Sequence, residues 1–235
     1  MEQHILAFLQ QVEHERERRQ NTPQLARAVD AVKRYQQQRF RKTYADLLAD
    51  PRYAGAATFF LNELYGPEDF SLRDAQFARV VPALVRLFPT EVVQTVALLA
   101  QLHALSERLD SLMGAALQSQ RPDAVSYAQA WRQVGESAAR RQQIELTLSI
   151  GASLDALTRK SLLRQALRLM RGPAYAAGLG ELQRFLETGF DTFKTMKGAK
   201  DFLDTVQGRE TRLAHLLSGE PGPTEPSHEL LEQLP

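Results

Sequence analysis

Thr90–Gln118, TEVVQTVALLAQLHALSERLDSLMGAALQ, decides the fold. Leu98, Leu102, Leu105, Leu109 and Leu112 recur in alternating steps of four and three, one stripe on a helix that turns about 100° per residue. Val92, Val96 and Leu99 form a second stripe about a quarter-turn away. Ala97, Ala104, Ser111 and Ala115 leave only small groups on the remaining side. A helix that is apolar or small nearly all round belongs in the middle of a bundle. Pro89 and Thr90 open it, after a helix that ends near Phe88.

The second stripe does not stay apolar. It continues through His103, Ser106 and Asp110 before Met113. A buried polar group without a partner costs about 1–3 kcal/mol, so these three require partners from other elements. The long helix predicted to follow Asp123 has the same character. Its stripe of Tyr127, Trp131, Val134 and Ala138 runs in register into Arg141 and Glu145 before Leu148.

Thr58–Val81, TFFLNELYGPEDFSLRDAQFARVV, is the corner expected to lie against these helices. Phe59, Phe60, Leu61 and Leu64 drive a helix end inward. Gly66 offers a left-handed stop, and Pro67 forbids continuation. Ser71, with Asp74 three residues on, is the capping-box pattern that restarts a helix. That chemistry leaves Glu63, Tyr65, Asp69 and Arg73 unexplained beside an aromatic cluster. We therefore expect one polar cluster, in which Glu63, Tyr65, Asp69, Arg73 and Asp74 meet His103, Asp110, Arg141 and Glu145. Arginine against carboxylate is the least costly way to bury such groups. The cluster is either a structural ion-pair network or the lining of a binding site.

The string FFLNELYGPEDFSLRD, with the looser segments LHALSERLD and LQRFLETGFDTFKTMKGAKDFL, resembles an uncharacterised bacterial family of all-helical proteins. The pattern FFL-x-ELYG-x-x-DF-x-x-RD carries the likeness, which extends roughly from Tyr35 to Glu210. It implies a shared helical fold and brings no activity, cofactor or site residue with it.

Elsewhere, Ile5, Phe8, Leu9 and Val12 make residues 2–20 an amphipathic helix whose stripe dissolves into EHERERR, predicted to be a solvated extension. Thr22-Pro23 starts a helix to about Leu48, and Pro51 opens another that ends at Tyr65. Pro82 should kink the helix from Ser71 to Phe88. Gly151 and Thr158 predict a break. A short helix follows, with Lys160, Arg164, Arg168 and Arg171 on a basic stripe read as a solvated face, and Gly172-Pro173 should end it. Helices over Ala174–Met196 and from Gly198 through Leu217 complete about eight. The expected organisation is one all-α domain over residues 1–218 and a disordered, Pro/Gly-rich tail over 219–235.

The 235 residues include no cysteine, which excludes disulfides, thiolate zinc sites and cysteine nucleophiles. A net charge of +1 argues against wrapping nucleic acid. No apolar run is long enough to span a membrane and no signal region follows Met1, so the expected location is cytoplasmic. A carboxylate-bridged di-iron centre needs Glu three residues before its histidine, and Ala100 stands there before His103. His103 and Asp110 lie about 10 Å apart along one helix, too far to bond. His103 remains available as a single haem ligand or, beside a carboxylate from another helix, as a general base. With no coherent catalytic set, metal-ligand set or cofactor motif, the expected function is non-catalytic, through protein–protein contacts or self-association. The alternative is a ligand-, haem- or metal-binding bundle, or an enzyme, with its pocket near Glu63, Asp69, Arg73 and His103.

Overall fold

From Thr95 to Gly114, no residue of the helix Thr90–Ala116 is exposed, which is the burial its all-round apolar wheel requires. In this computed structural model, residues 1–64, 70–117, 121–219 and 234–235 are described. The elements are α1 (Glu2–Gln20), α2 (Pro23–Thr43), α3 (Ala45–Ala49), α4 (Ala54–Phe59), a π-helical turn (Phe60–Leu64), α5 (Ser71–Leu87), α6 (Thr90–Ala116), α7 (Ala124–Val134), α8 (Ser137–Thr158), α9 (Ser161–Ala176), α10 (Gly180–Thr195) and α11 (Lys200–Ser218). No strand occurs among the described residues, and no helix there is long and apolar enough to cross a membrane.

The central α6 spans about 40 Å, and α1, α2, α5, α7 and α8 pack around it. Two glycines set how closely the layers approach. A Cβ on Gly114 would lie 2.7 Å from Val29 Cγ2 and 3.1 Å from the Val29 backbone nitrogen, so α2 rests directly on α6 there. Gly151 does the same for α8 and α11, where a Cβ would meet Leu203 at 2.5 Å. The break expected from Gly151 and Thr158 falls at Thr158, where α8 ends, and not at Gly151, where the glycine serves close packing. Beside this core, α10 packs on α4, α5, α8 and α9. The Gln76 side chain of α5 accepts the Leu182 N–H at 3.0 Å, satisfying one of the orphan donors at the start of α10. At the other end, Arg52 donates to the Met196 and Gly198 carbonyls at 2.9 and 3.3 Å.

Eleven α-helices stand among the described residues where about eight were expected. Tyr44, at φ −116° and ψ 26°, separates α3 from α2. Gly135, left-handed at φ 72°, ends α7 with its N–H on the Trp131 carbonyl, so the single long helix expected after Asp123 is two. The cap on α7 is as expected, Asp123 accepting from the Ser126 N–H in a reciprocal box. Ser71, by contrast, is not an N-cap. It is the first residue of α5, and Phe70 holds the cap position without a side-chain cap hydrogen bond. Pro173 lies inside the last turn of α9 rather than ending it, and the chain turns at Gly178, φ 71°.

The stop read at Gly66-Pro67 and residues 220–233 of the expected disordered tail lie outside the described residues. Leu234 is only 1% exposed, packed among Val32, Met113, Leu213 and Leu217. Its carbonyl accepts from Lys42 Nζ at 2.6 Å.

Candidate functional site

Side chains from α1, α2, the π-helical turn, α5, α6, α8 and α10 enclose a cavity of about 120 Å³. Leu9, Phe77, Val96, Leu99, Leu102 and Phe185 supply most of its apolar wall. Glu63, Arg73, Asp74, His103 and Asp110, all singled out from the sequence, line it together. Arg141 and Glu145 do not join them: both are exposed on α8. Their expected inward register assumed one helix from Asp123, and the left-handed turn at Gly135 resets the phase before Ser137. Tyr65 and Asp69 lie outside the described residues.

On the wall formed by α5, Arg73 donates to Glu63 at 2.9 Å. Its guanidinium lies 4.0 Å from the Phe70 ring centre and 4.4 Å from that of Phe185, held between two aromatic faces. Beside it, Asp74 Oδ2 sits 2.8 Å from His103 Nε2 and receives Arg16 Nη2 at 2.5 Å. Burial alone would raise the Asp74 carboxyl, but the His103 hydrogen bond and Arg16 outweigh it and hold it below the usual carboxylate range. Asp74 is therefore ionised, an acceptor only, and the His103 ring must donate to it through Nε2.

A second, more buried network lies along α6. Glu107 receives Arg19 and, at 2.6 Å, Lys33. Burial works against its ionisation, yet Lys33 and Arg19 dominate and push its carboxyl down to about 2. Asp110, one turn further along α6, behaves oppositely. Burial raises it, and neither Lys33 at 3.9 Å nor the Gln36 hydrogen bond reverses the shift, while the Glu107 charge adds to it. Lys33 is shared unequally: it lies far closer to Glu107.

Glu107, Lys33, Arg16 and Arg19 were not found from the sequence. Glu107 stands four residues after His103, on the same helical face, and was visible on the wheel. Arg16 and Arg19 belong to EHERERR, whose reading as a solvated extension holds for the exposed Glu13, His14, Glu17 and Arg18 and is corrected for these two: Arg19 is 9% exposed and both reach inward. Among the described residues, no group of three or more His, Cys, Asp or Glu is placed to hold a metal ion.

A family model described as Domain of unknown function (DUF8198) matches residues 15–223. No curated protein and no solved structure matches the chain. The match covers most of the 235 residues, from the inward-facing Arg16 to the end of α11, and the chain belongs to that family.

Proposed function

We propose that this family member is a binding protein that holds a small, largely apolar molecule in the cavity between α5, α6 and α10. The cavity itself carries the reading: apolar walls and a few convergent polar groups are the make-up of ligand sites. Its volume of about 120 Å³ is of the same order as the ~150 Å³ apolar cavity that takes one benzene ring. It suits a single ring or a short chain. The reading is non-catalytic because the ionic groups around the cavity are engaged with one another rather than arrayed around a reacting centre.

Toluene is a suitable probe, followed through the leucine and valine methyl resonances of the full chain. It should shift Val96, Leu99 and Leu102. Ala100→Val, at a wall residue only 2% exposed, should weaken that binding about tenfold or more by filling the space. Toluene that leaves these methyls unmoved would remove the reading.

A second reading, contact between copies of this chain, is favoured by α9. It packs on α8 and α10, yet Leu162 and Leu169 are 76% and 78% exposed and Met170 is 49%. Exposed leucines spaced by two turns of one helix form an apolar stripe. Sedimentation should then show mass rising with concentration, and Leu162→Ser with Leu169→Ser should abolish the rise. The same pair should change stability by no more than about 0.5 kcal/mol each, as surface changes do. A wild type that stays monomeric at every concentration removes this reading and leaves the cavity untouched.

A further inference from the structure

The polar side of the cavity has a definite hydrogen-bonding sense. His103 Nε2 donates to the ionised Asp74, so in the uncharged form of the ring it is Nδ1 that carries the lone pair and accepts. That tautomer follows from the network around the ring. Three residues on, Ser106 Oγ accepts from Gln143 Nε2 at 2.9 Å, which leaves its own hydrogen to donate. Neither His103 Nδ1 nor the Ser106 hydroxyl hydrogen is engaged by another group among the described residues. Neighbours three apart on a helix have Cβ atoms about 5–6 Å apart. An acceptor and a donor thus stand side by side on the cavity wall, both lining it.

The charged groups around them are already matched. Arg16 lies against Asp74, Arg73 against Glu63, and Lys33 against Glu107 and Asp110. A ligand with a net charge must compete with one of these buried pairs or remain unpaired away from water, and both are costly. A neutral ligand meets no such penalty. Phe70, Phe77 and Phe185 line the same space with aromatic rings, which favours a flat ring over a chain.

We propose that the cavity selects a neutral single-ring molecule bearing one hydroxyl group, a phenol, which donates to His103 Nδ1 and accepts from the Ser106 hydroxyl. The assignment rests on the cavity being a ligand site. It adds to that reading the charge and hydrogen-bonding class of the ligand.

The test titrates the full chain with phenol, toluene, benzoate and benzylamine under one set of conditions, read by methyl resonances and calorimetry. Phenol should bind about tenfold tighter than toluene, the gain of two net hydrogen bonds, and at least tenfold tighter than either charged ring. Ser106→Ala should reduce the preference for phenol over toluene to a few-fold. Ser106→Thr, which keeps the hydroxyl, should restore it. Circular-dichroism melting of each variant establishes that it is folded.

Toluene bound as tightly as phenol would overturn the phenol assignment while sparing the cavity as a ligand site. Benzoate or benzylamine binding tightest would overturn the neutral class. Failure of all four probes would remove both readings together.

Discussion

Glu107→Gln should cost about 3–5 kcal/mol of folding stability, the usual penalty for breaking a buried ion pair from one side. Glu107 is 5% exposed and holds both Arg19 and Lys33. The amide keeps its shape and hydrogen-bonding reach but leaves two buried cations facing a neutral group. The internal control is Asp110→Asn, one turn further along α6, where burial raises the carboxyl despite Lys33. There the ionised form costs the fold energy, so the isosteric amide should be neutral or stabilising. Two equivalent changes on one helix face should thus have opposite signs.

The pH dependence follows from the same shifts. The Glu107 carboxyl is depressed from 4.5 to about 2. Its contribution is fully present above the unfolded value and is lost as pH falls through the folded one. Near neutrality that contribution is about 3 kcal/mol. Asp110 is raised, so acid relieves its burial cost and partly offsets the loss. Urea unfolding of the wild type and Glu107→Gln between pH 7 and pH 3 checks both claims. The variant should be much weaker at pH 7 and show a flatter acid limb. Equal stabilities at pH 7, or parallel limbs, would place Glu107 outside any buried network.

What could be read from the sequence was whatever one helix writes on its own face. The α6 wheel predicted its all-round burial, and the polar stripe of His103, Ser106 and Asp110 led to residues that do line one cavity. The errors came where a local rule had a competing use for the same residue. Ser71 and Asp74 fit a capping box, but the Asp74 carboxylate is taken by Arg16 and His103, 58 and 29 residues away in the chain. No local pattern records such partners. Gly135 was a single overlooked residue with a large consequence: one left-handed turn moved Arg141 and Glu145 from the expected cluster to the surface. Arg16 and Arg19 of EHERERR departed from the expectation for a related reason. Charge runs are usually solvated, and a helix whose polar side meets another helix's carboxylates looks the same in sequence as one that meets water.

Asp74→Asn should cost about 3 kcal/mol and, separately, invert the hydrogen-bonding sense of the cavity. The stability loss arises because the carboxylate, 13% exposed, serves Arg16 at 2.5 Å, His103 at 2.8 Å and Arg73 at 3.9 Å. A neutral amide takes from Arg16 its nearest counter-charge, while Arg73 keeps Glu63. Combining it with Arg16→Met removes one stranded cation, so the double variant should recover much of the loss. A coupling energy of about 1 kcal/mol or more is expected for groups in one network, and strict additivity would show that Arg16 and Asp74 do not act as a pair. The effect on the ring is independent of that balance. In Asp74→Asn the amide oxygen best turns to Arg16, which presents the amide N–H₂ to His103 Nε2. That nitrogen must then accept, and the ring proton moves to Nδ1. The cavity wall would offer two donors, His103 Nδ1–H and Ser106 Oγ–H, suited to a ketone such as acetophenone rather than a phenol. Nitrogen-15 spectra of the histidine ring read the change directly: His103 should carry its proton on Nε2 in the wild type and on Nδ1 in Asp74→Asn. A wild-type ring already protonated on Nδ1 would mean that Asp74 does not set the tautomer, and the cavity would have no acceptor to give a phenol.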